Sequence, residues 1–345
     1  MATSSILWYV HDVGIGHLQR FRAVAAHLDS PVVVASSLPQ LDDRLSGFDV
    51  AAEQLPSDRS CAQQGPGPFH HVPLDTTAAQ RARAVLDVAE RHHCTTAVVD
   101  VSVETAVLCR LAGLRTVVLR QSGRRDDAPH ALAHDCADVV WVPQHRELEP
   151  HLDRNHTLQC TGAFSRFDDR LPGHAAARSR LGVDASRTLV VVLLGEGGGT
   201  FDETRWRQHC VPEDVDVVLL GTTSRWSWGN VRALGRIEDP FDHLCAADVV
   251  LSAAGWASVH DIASAGAPAA LVAEQRPFAE QQVRIEALSA AGLVVALDAW
   301  PGPEELLHVL ARCAALEPGR WDRYYDRKGA RRAAEMIEEV HRGAP

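Results

Sequence analysis

The sequence is poor in several features that mark particular classes of protein. Lys328 is its only lysine, it has no basic run, and its 345 residues carry a formal net charge of −11. A surface of this sign repels nucleic acid and anionic lipid. The eight cysteines are scattered without a CxxC pair, which is typical of free thiols in a reducing compartment. We therefore expect no nucleic-acid partner, no membrane association and no metal site.

Long apolar runs and internal repeats with a fixed period of 20 to 50 residues are also missing, and the missing repeats exclude solenoids and propellers. No stretch free of charge is long enough to span a bilayer, and the first ten residues lack the basic start of a secretory leader. These features predict a cytoplasmic protein without a transmembrane segment. The length indicates about two domains, and nothing in the sequence indicates an oligomeric state.

Short β-branched runs alternate with helix-patterned segments along nearly the whole chain. This alternation is typical of parallel sheets with crossover helices. The predicted strands are residues 6–10, 31–35, 95–100, 115–120, 138–142, 188–194, 215–220, 248–251, 268–273 and 293–297. The main predicted helices are residues 17–28, 76–92, 103–112, 256–264, 278–290 and 321–341. A stretch rich in Gly, Pro and charge, residues 161–173, indicates a boundary between two α/β domains.

The first motif is a glycine turn after the first predicted strand, with Gly14, Gly16 and His17. Glycine lets a ligand approach the backbone, but Gln19 breaks the dinucleotide-binding fingerprint. His17 and Asp100, which ends another predicted strand, should meet at one edge of the sheet. Either could act as a general base. The structural alternatives are a tight turn capped by His17 and a helix capped by Asp100 or Ser102.

Two further motifs follow strands of the second half. Residues 195–199 hold four glycines, which suits a phosphate or sugar cradle or a flexible turn, but no Walker lysine follows. Residues 246–268 predict a strand, a turn at Gly255 and a helix from Trp256 whose N–H groups could hold a diphosphate. Ser258 and Asp261 are three residues apart and share a helix face, where a carboxylate could accept both hydroxyls of a ribose.

The order of these motifs resembles that of MurG-like glycosyltransferases of the GT-B fold. The likeness covers most of the chain and is most specific over residues 247–298. It implies an α/β protein of two Rossmann-like parallel-sheet domains that face each other across a cleft. Residues 1–162 would bind the acceptor, residues 163–320 would bind the nucleotide sugar, and a helix in residues 321–345 would pack back on the first domain.

The resemblance also implies roles for individual residues. The diphosphate of a UDP-sugar would lie on the turn of Gly255, Trp256, Ala257 and Ser258, the ribose on Asp261, and the uracil near Ile237. Donor-side positions are completed by Arg166, Gly197, Gly198, Gln281 and Gln282, and acceptor-side positions by His11, Gly14 and Gly16. From composition alone, Gln281 and Gln282 would be a solvated helix start. No cofactor beyond the UDP-sugar is implied.

Some positions depart from the family pattern. Asp261 stands where the family has Glu, Trp256 is bulky for its turn, and the first glycine cluster is reduced to Gly14 and Gly16. The first 165 residues hold 14 arginines against 19 acidic residues, which argues against a lipid-phosphate acceptor. We therefore expect a soluble small-molecule acceptor.

The resulting hypothesis is an inverting, metal-independent glycosyltransferase in which His17 deprotonates the acceptor and Asp100 stabilises the imidazolium; Asp100 as the direct base is the alternative. The arginine-rich, lysine-poor composition suggests specialised metabolism. A nucleotide-sugar hydrolase and a catalytically silent UDP-sugar-binding subunit are the other two hypotheses.

Overall fold

The computed structural model describes residues 4–12, 15–57, 62–152, 158–195 and 197–343. The described chain forms two mostly parallel sheets of seven strands each, with helices on both faces. The predicted architecture of two Rossmann-like α/β domains is confirmed. No helix among these residues is long and apolar enough to cross a membrane.

The first sheet takes up the first half of the chain. Its strands are β1 (Ser5–Val10), β2 (Val32–Ser36), β3 (Ala51–Gln54), β4 (Cys94–Asp100), β5 (Arg115–Leu119), β6 (Val139–Val142) and β7 (Leu158–Cys160). They are all parallel and lie in the order β3-β2-β1-β4-β5-β6-β7. The helices between them are α1 (Gly16–Ala25), α2 (Leu41–Arg44), α3 (Thr76–Arg91), α4 (Val103–Leu111) and α5 (Ala128–Asp135).

The second sheet repeats this plan and adds a hairpin at one edge. Its strands are β8 (Thr188–Leu193), β9 (Val215–Leu220), β10 (Arg225–Trp228), β11 (Val231–Leu234), β12 (Val249–Ala253), β13 (Ala269–Val272) and β14 (Val295–Leu297). They lie in the order β10-β11-β9-β8-β12-β13-β14, and only the β10-β11 pair is antiparallel. The remaining helices are α6 (His174–Leu181), α7 (Glu203–Gln208), α8 (Phe241–Ala246), α9 (Trp256–Ala265), α10 (Glu280–Ala290), α11 (Leu306–Ala314) and α12 (Gly329–Arg342).

Every predicted strand is present within one or two residues of its expected ends. Sequence reasoning missed β3, β7, β10 and β11, along with helices α2, α5, α6, α7, α8 and α11. Most of these elements are short and carry polar or exposed residues, so a periodic apolar pattern does not mark them; the exception is α11, which buries Leu306, Val309 and Cys313 at helical spacing. The central strands are easy to find because burial on both faces makes them continuous apolar runs.

The last helix begins later than the sequence suggested. Trp321 and Tyr325 pack in the core of the second domain, and α12 starts only at Gly329. From there α12 lies against α1, β4 and β5, and its apolar stripe joins the core of the first domain. The chain therefore passes between the domains twice, once over residues 161–173 and once before α12.

The ligand-binding edges of both sheets face the same cleft between the domains. In an open parallel sheet, ligands bind beyond the carboxyl ends of the strands where the strand order reverses. In the first sheet this point lies between β1 and β4, and in the second it lies between β8 and β12. The motifs singled out in the sequence follow these four strands.

The junction of α12 with the interdomain segment gives a stability prediction. A methyl group on Gly329 would stand 2.6 Å from the carbonyl oxygen of Gly162 and 2.5 Å from that of Ala163. Gly329→Ala should therefore lower the free energy of unfolding by about 1–3 kcal/mol, measured by urea denaturation. Arg331→Ala, on the exposed side of the same helix, should change it by less than about 0.5 kcal/mol. Equal effects of the two substitutions would show that this contact is loose.

Candidate active site between the two domains

His17 and Asp100 meet at the reversal point of the first sheet. His17 is the second residue of α1, and its Nδ1 lies 3.0 Å from Oδ1 of Asp100 at the end of β4. The Asp100 residue is completely buried, whereas 12% of the His17 side chain is exposed. Only His17 can therefore reach a molecule in the cleft, and this geometry favours His17 over Asp100 as the base.

Arg20 is the second partner of Asp100. Its Nη1 donates to both carboxylate oxygens of Asp100, at 2.8 and 2.9 Å. Burial alone raises the pKa of Asp100, but the Arg20 guanidinium, with His17 beside it, holds that pKa below its usual value. Asp100 is therefore an anion at neutral pH, although it has no contact with solvent.

The turn after Asp100 is strained. Val101 has a φ of 69°, a backbone region that β-branched residues rarely enter. Such strain persists where the surrounding structure enforces it, and it concentrates at functional sites. Ser102 caps α4 by accepting a hydrogen bond from the amide of Thr105, 3.3 Å away. The capping role considered for Asp100 or Ser102 therefore belongs to Ser102.

Helix α9 presents its first turn to the cleft at the reversal point of the second sheet. Gly255 is its N-cap, and no side chain caps the helix. The amides of the first helical turn have no partner within the helix, so Trp256, Ala257 and Ser258 can offer theirs to an anion. A methyl group on Gly16, the first residue of α1, would lie 3.9 Å from Cβ of Ala257. The starts of α1 and α9, one from each domain, are thus adjacent.

The side chain of Trp256 does not line the cleft. It is 8% exposed and belongs to the apolar core of the first domain, where it packs against Phe164 with ring centroids 5.0 Å apart. Its Nε1 donates to the carbonyl oxygen of Pro143, 3.2 Å away. The indole of Trp256 therefore fills space between the two domains and does not narrow the cleft.

Asp261 lies one turn into α9 and is held by two residues of the interdomain segment. Its Oδ1 accepts from the Ser165 hydroxyl at 2.6 Å, and its Oδ2 lies 3.3 Å from Nε and Nη2 of Arg166. Burial raises the pKa of Asp261 to about 6, and Arg166 opposes that shift. The carboxylate is anionic at pH 7.5 and accepts protons in mildly acidic solution.

A cavity of about 650 Å³ lies between α1 and the first turns of α9, within the range of about 300–1,000 Å³ that is usual for small-molecule sites, and His17 and Asp100 are not among the residues that line it. Five predicted donor-side residues line it: Arg166, Ile237, Ala257, Ser258 and Asp261. The first domain contributes one face of α1, with Ile15, Leu18, Gln19 and Arg22, and part of α2, with Asp43 and Arg44. The cavity is therefore built by both domains.

Four other predicted donor-side residues lie elsewhere. The carbonyl oxygens of Gly197 and Gly198 accept from Nη2 of Arg276, at 3.0 and 2.7 Å. Gln281 is buried and its Oε1 accepts from the amide of Glu274, 2.9 Å away. Gln282 is exposed on α10 and donates to Glu286, so it has the solvated helix position that composition suggested.

On the acceptor side, the His11 and His17 rings are 5.6 Å apart, and Gly16 begins α1. Gly14 lies outside the described residues. Within the described residues, no group of three or more His, Cys, Asp or Glu side chains is arranged to hold a metal ion.

Apart from Arg166, the arginines of the site were not identified from the sequence: Arg20, Arg22, Arg44 and Arg236. Arg20 could have been found, because it follows His17 by three residues and so shares its helix face. Arg22 and Arg44 have no such signal, since their approach to the cavity depends on how α1 and α2 face the second domain.

Comparison with solved structures supports the GT-B fold. The glycotransferase of kitacinnamycin aligns with a TM-score of 0.70 at 16% identity, over 98% of this chain and 99% of that one. MurG of Acinetobacter baumannii aligns with a TM-score of 0.66 at 14% identity, over 97% and 99%. UGT2 of Phytolacca americana, complexed with UDP-2-fluoro-glucose and pterostilbene, aligns with a TM-score of 0.62 at 13% identity, over 99% and 95%. No protein-family model matches the sequence, and no curated protein matches it.

The raised pKa of Asp261 predicts a pH-dependent stability. The folded protein holds this proton up to about pH 6, whereas an unfolded chain releases it near pH 4. The folded state thus binds more protons between these values, so the stabilisation present below pH 4 is lost as the pH rises through 6. Relative to Asp261→Asn, the wild type should lose about 2–3 kcal/mol of unfolding free energy between pH 4 and 7.5.

Urea denaturation of both proteins at the two pH values measures this difference. Asp214→Asn, at an exposed position, is the control and should show no such change with pH. An Asp261→Asn variant whose stability follows that of the wild type at both pH values would contradict the burial of this carboxyl.

Proposed function

We propose that this protein is a glycosyltransferase that moves a sugar from a UDP-sugar to a soluble small-molecule acceptor with inversion at the anomeric carbon. The observation that carries the proposal is the cavity built by both domains, with the first turn of α9 and Asp261 on one side and α1 on the other. The GT-B fold shared with the kitacinnamycin glycotransferase and with UGT2 in its UDP-2-fluoro-glucose complex supports the donor class and the kind of acceptor.

The second domain, residues 163–320, binds the donor. The diphosphate lies against the amides of Trp256, Ala257 and Ser258, where the helix dipole favours negative charge. Asp261 accepts the ribose hydroxyls, and the backbone near Ile237 meets the uracil. The cavity wall of this acidic protein carries more positive than negative side chains, because four arginines, Arg22, Arg44, Arg166 and Arg236, face three acidic residues, Asp43, Glu238 and Asp261.

The first domain, residues 1–162, binds the acceptor next to His17. The free ring nitrogen of His17 takes the proton of the acceptor hydroxyl as the oxygen attacks the anomeric carbon. The bond between that carbon and the diphosphate oxygen breaks on the opposite face, and UDP leaves with the electron pair. Asp100 stabilises the imidazolium, and the amides of α9 stabilise the leaving diphosphate without a metal ion. The proton on His17 then passes to solvent.

The proposal also covers the kind of acceptor, the cellular compartment and the kind of metabolism. Neither a lipid-linked acceptor nor a membrane surface suits the acidic first domain. We propose that the enzyme acts in the cytoplasm, in specialised metabolism, on a small-molecule acceptor of the class to which pterostilbene, bound in the UGT2 complex, belongs.

The base assignment is tested with His17→Ala. Loss of a general base should lower kcat by about 100-fold or more with the true acceptor, because the hydroxyl then has to lose its proton to water. UDP affinity should stay within about threefold of wild type, since His17 does not line the nucleotide cavity. His27→Ala, at an exposed position just beyond α1, is the control and should keep wild-type turnover. Turnover of His17→Ala within threefold of wild type would exclude His17 as the base.

The diphosphate site is tested with Ser258→Asp. A carboxylate in the first turn of α9 should repel the diphosphate and raise the Kd of UDP at least tenfold while changing the Kd of uridine much less. Isothermal titration calorimetry with both ligands measures this split. Gln208→Asp adds the same charge at an exposed end of α7 and should leave both Kd values unchanged.

The same calorimetry, extended to TDP and GDP sugars and combined with assays of turnover and of sugar release, separates the hypotheses. Failure of every nucleotide to bind the wild type would overturn the proposed function. Stoichiometric release of free sugar without an acceptor would identify a hydrolase, and binding without turnover would identify a silent subunit.

A further inference from the structure

Arg20 joins the His17–Asp100 pair to the second domain. One side of its guanidinium contacts the Asp100 carboxylate, and its Cζ lies 4.4 Å from the ring centroid of Trp256, the first residue of α9. On the basis of the proposed function, we propose that Arg20 is a positioning residue that holds Asp100 against His17. We further propose that Trp256 ties Arg20 to the helix that binds the diphosphate, so that the base is in place only when the two domains are docked.

His17 and Arg20 are one turn apart on α1, and both reach Asp100 from the same side. Because Nη1 of Arg20 donates to both carboxylate oxygens, it limits rotation of the carboxylate. Oδ1 of Asp100 is therefore kept facing Nδ1 of His17 at 3.0 Å.

The charge of Arg20 is buried. Arg20 is 1% exposed, so its charge has no solvent to stabilise it and depends on its neighbours. Asp100 neutralises one edge of the guanidinium, and the electron-rich face of the Trp256 indole stabilises the cation beside it. Loss of the indole would leave Arg20 with a weaker hold on its position and hence on Asp100.

Trp256 is attached to both domains. Its indole belongs to a helix of the second domain, yet it is buried in the first domain and donates to Pro143 there. The ring also packs against His260 of its own helix, with centroids 4.4 Å apart. A displacement of α9 away from the first domain would withdraw this ring from Arg20. Donor binding on α9 and proton transfer at His17 are thus linked through one side chain.

The electrostatic consequence of Arg20 is specific. Among the residues that the structure describes, the charged or titratable groups around His17 are Asp100 from β4, Arg20 from α1, His11 with its partner Asp12 before α1, and Glu280 at the start of α10, with Arg284 next to Arg20. Arg20 cancels part of the negative charge that Asp100 presents to the imidazole. Without Arg20, the imidazolium would be stabilised more strongly, and His17 would be available as a base only at higher pH.

The experiment measures the pH profile of kcat/KM, kcat at its plateau, and the Kd of UDP for Arg20→Met, Trp256→Leu and Trp256→Phe. We expect Arg20→Met to move the acidic limb of the profile up by about one pH unit. We expect Trp256→Leu to lower kcat about 10- to 100-fold, as misplacement of a catalytic group does. Trp256→Phe keeps an aromatic face for Arg20 and should recover most of the lost kcat.

Two matched controls exist in the second domain. Arg178→Met breaks the ion pair of a buried arginine with Asp248, and Trp226→Leu removes the aromatic partner of Arg207, whose Cζ lies 4.7 Å from the ring centroid. Both changes should lower stability without moving the acidic limb.

The outcomes are distinct. An acidic limb that stays in place in Arg20→Met overturns the role of Arg20, and a Trp256→Leu variant with wild-type kcat overturns the link to α9. In either case a wild type that binds UDP and depends on His17 keeps the proposed function intact. A wild type that binds no nucleotide and shows no turnover overturns the proposed function together with this inference. If Arg20→Met does not fold, the two Trp256 variants decide the question, because they leave the ion pair in place.

Discussion

A carboxylate without access to water is the constraint on which the rest of the cleft depends. Asp100 stays charged in the interior because Arg20 lies against it with His17 beside it, and Arg20 is itself buried and in need of partners. Removing either charge would leave the other isolated, which typically costs about 3–5 kcal/mol. The end of β4, the first turns of α1 and the start of α9 are consequently fixed relative to one another. A buried position suits Asp100 if it serves only as the fixed partner of His17, because that role needs no contact with solvent.

The acidic net charge of the chain and an anionic ligand are compatible because charge is distributed unevenly. The cavity wall holds four arginines against three acidic residues, Asp43, Glu238 and Asp261, so its formal charge is +1 in a chain whose net charge is −11. The first turn of α9 adds partial positive charge that needs no side chain. A nucleotide would thus experience a local field opposite in sign to that of the whole molecule.

The sequence predicted the parts of this molecule that depend on local pattern. Continuous apolar runs identified the central strands, and glycine turns after them identified the starts of α1 and α9, since a parallel sheet brings its strand ends to one edge. The meeting of His17 with Asp100, and of Asp261 with the cavity, followed from that rule. Features that depend on long-range packing were out of reach. Gln281 is occupied by a backbone amide, and Trp256 points into the other domain, because of contacts that no local pattern encodes.

The two passages of the chain between the domains limit how the molecule can be divided. Residues 161–173 lead into the second sheet, and the segment before α12 leads back to the first, where the helix completes the apolar core. The second sheet is thus an insertion within a first unit that is closed by its own C-terminal helix. Exchange of the second sheet between such proteins by recombination would need two crossover points, and a single crossover would separate the first sheet from the helix that covers it. Two connections side by side also favour a hinge-like rotation of the domains over their free separation.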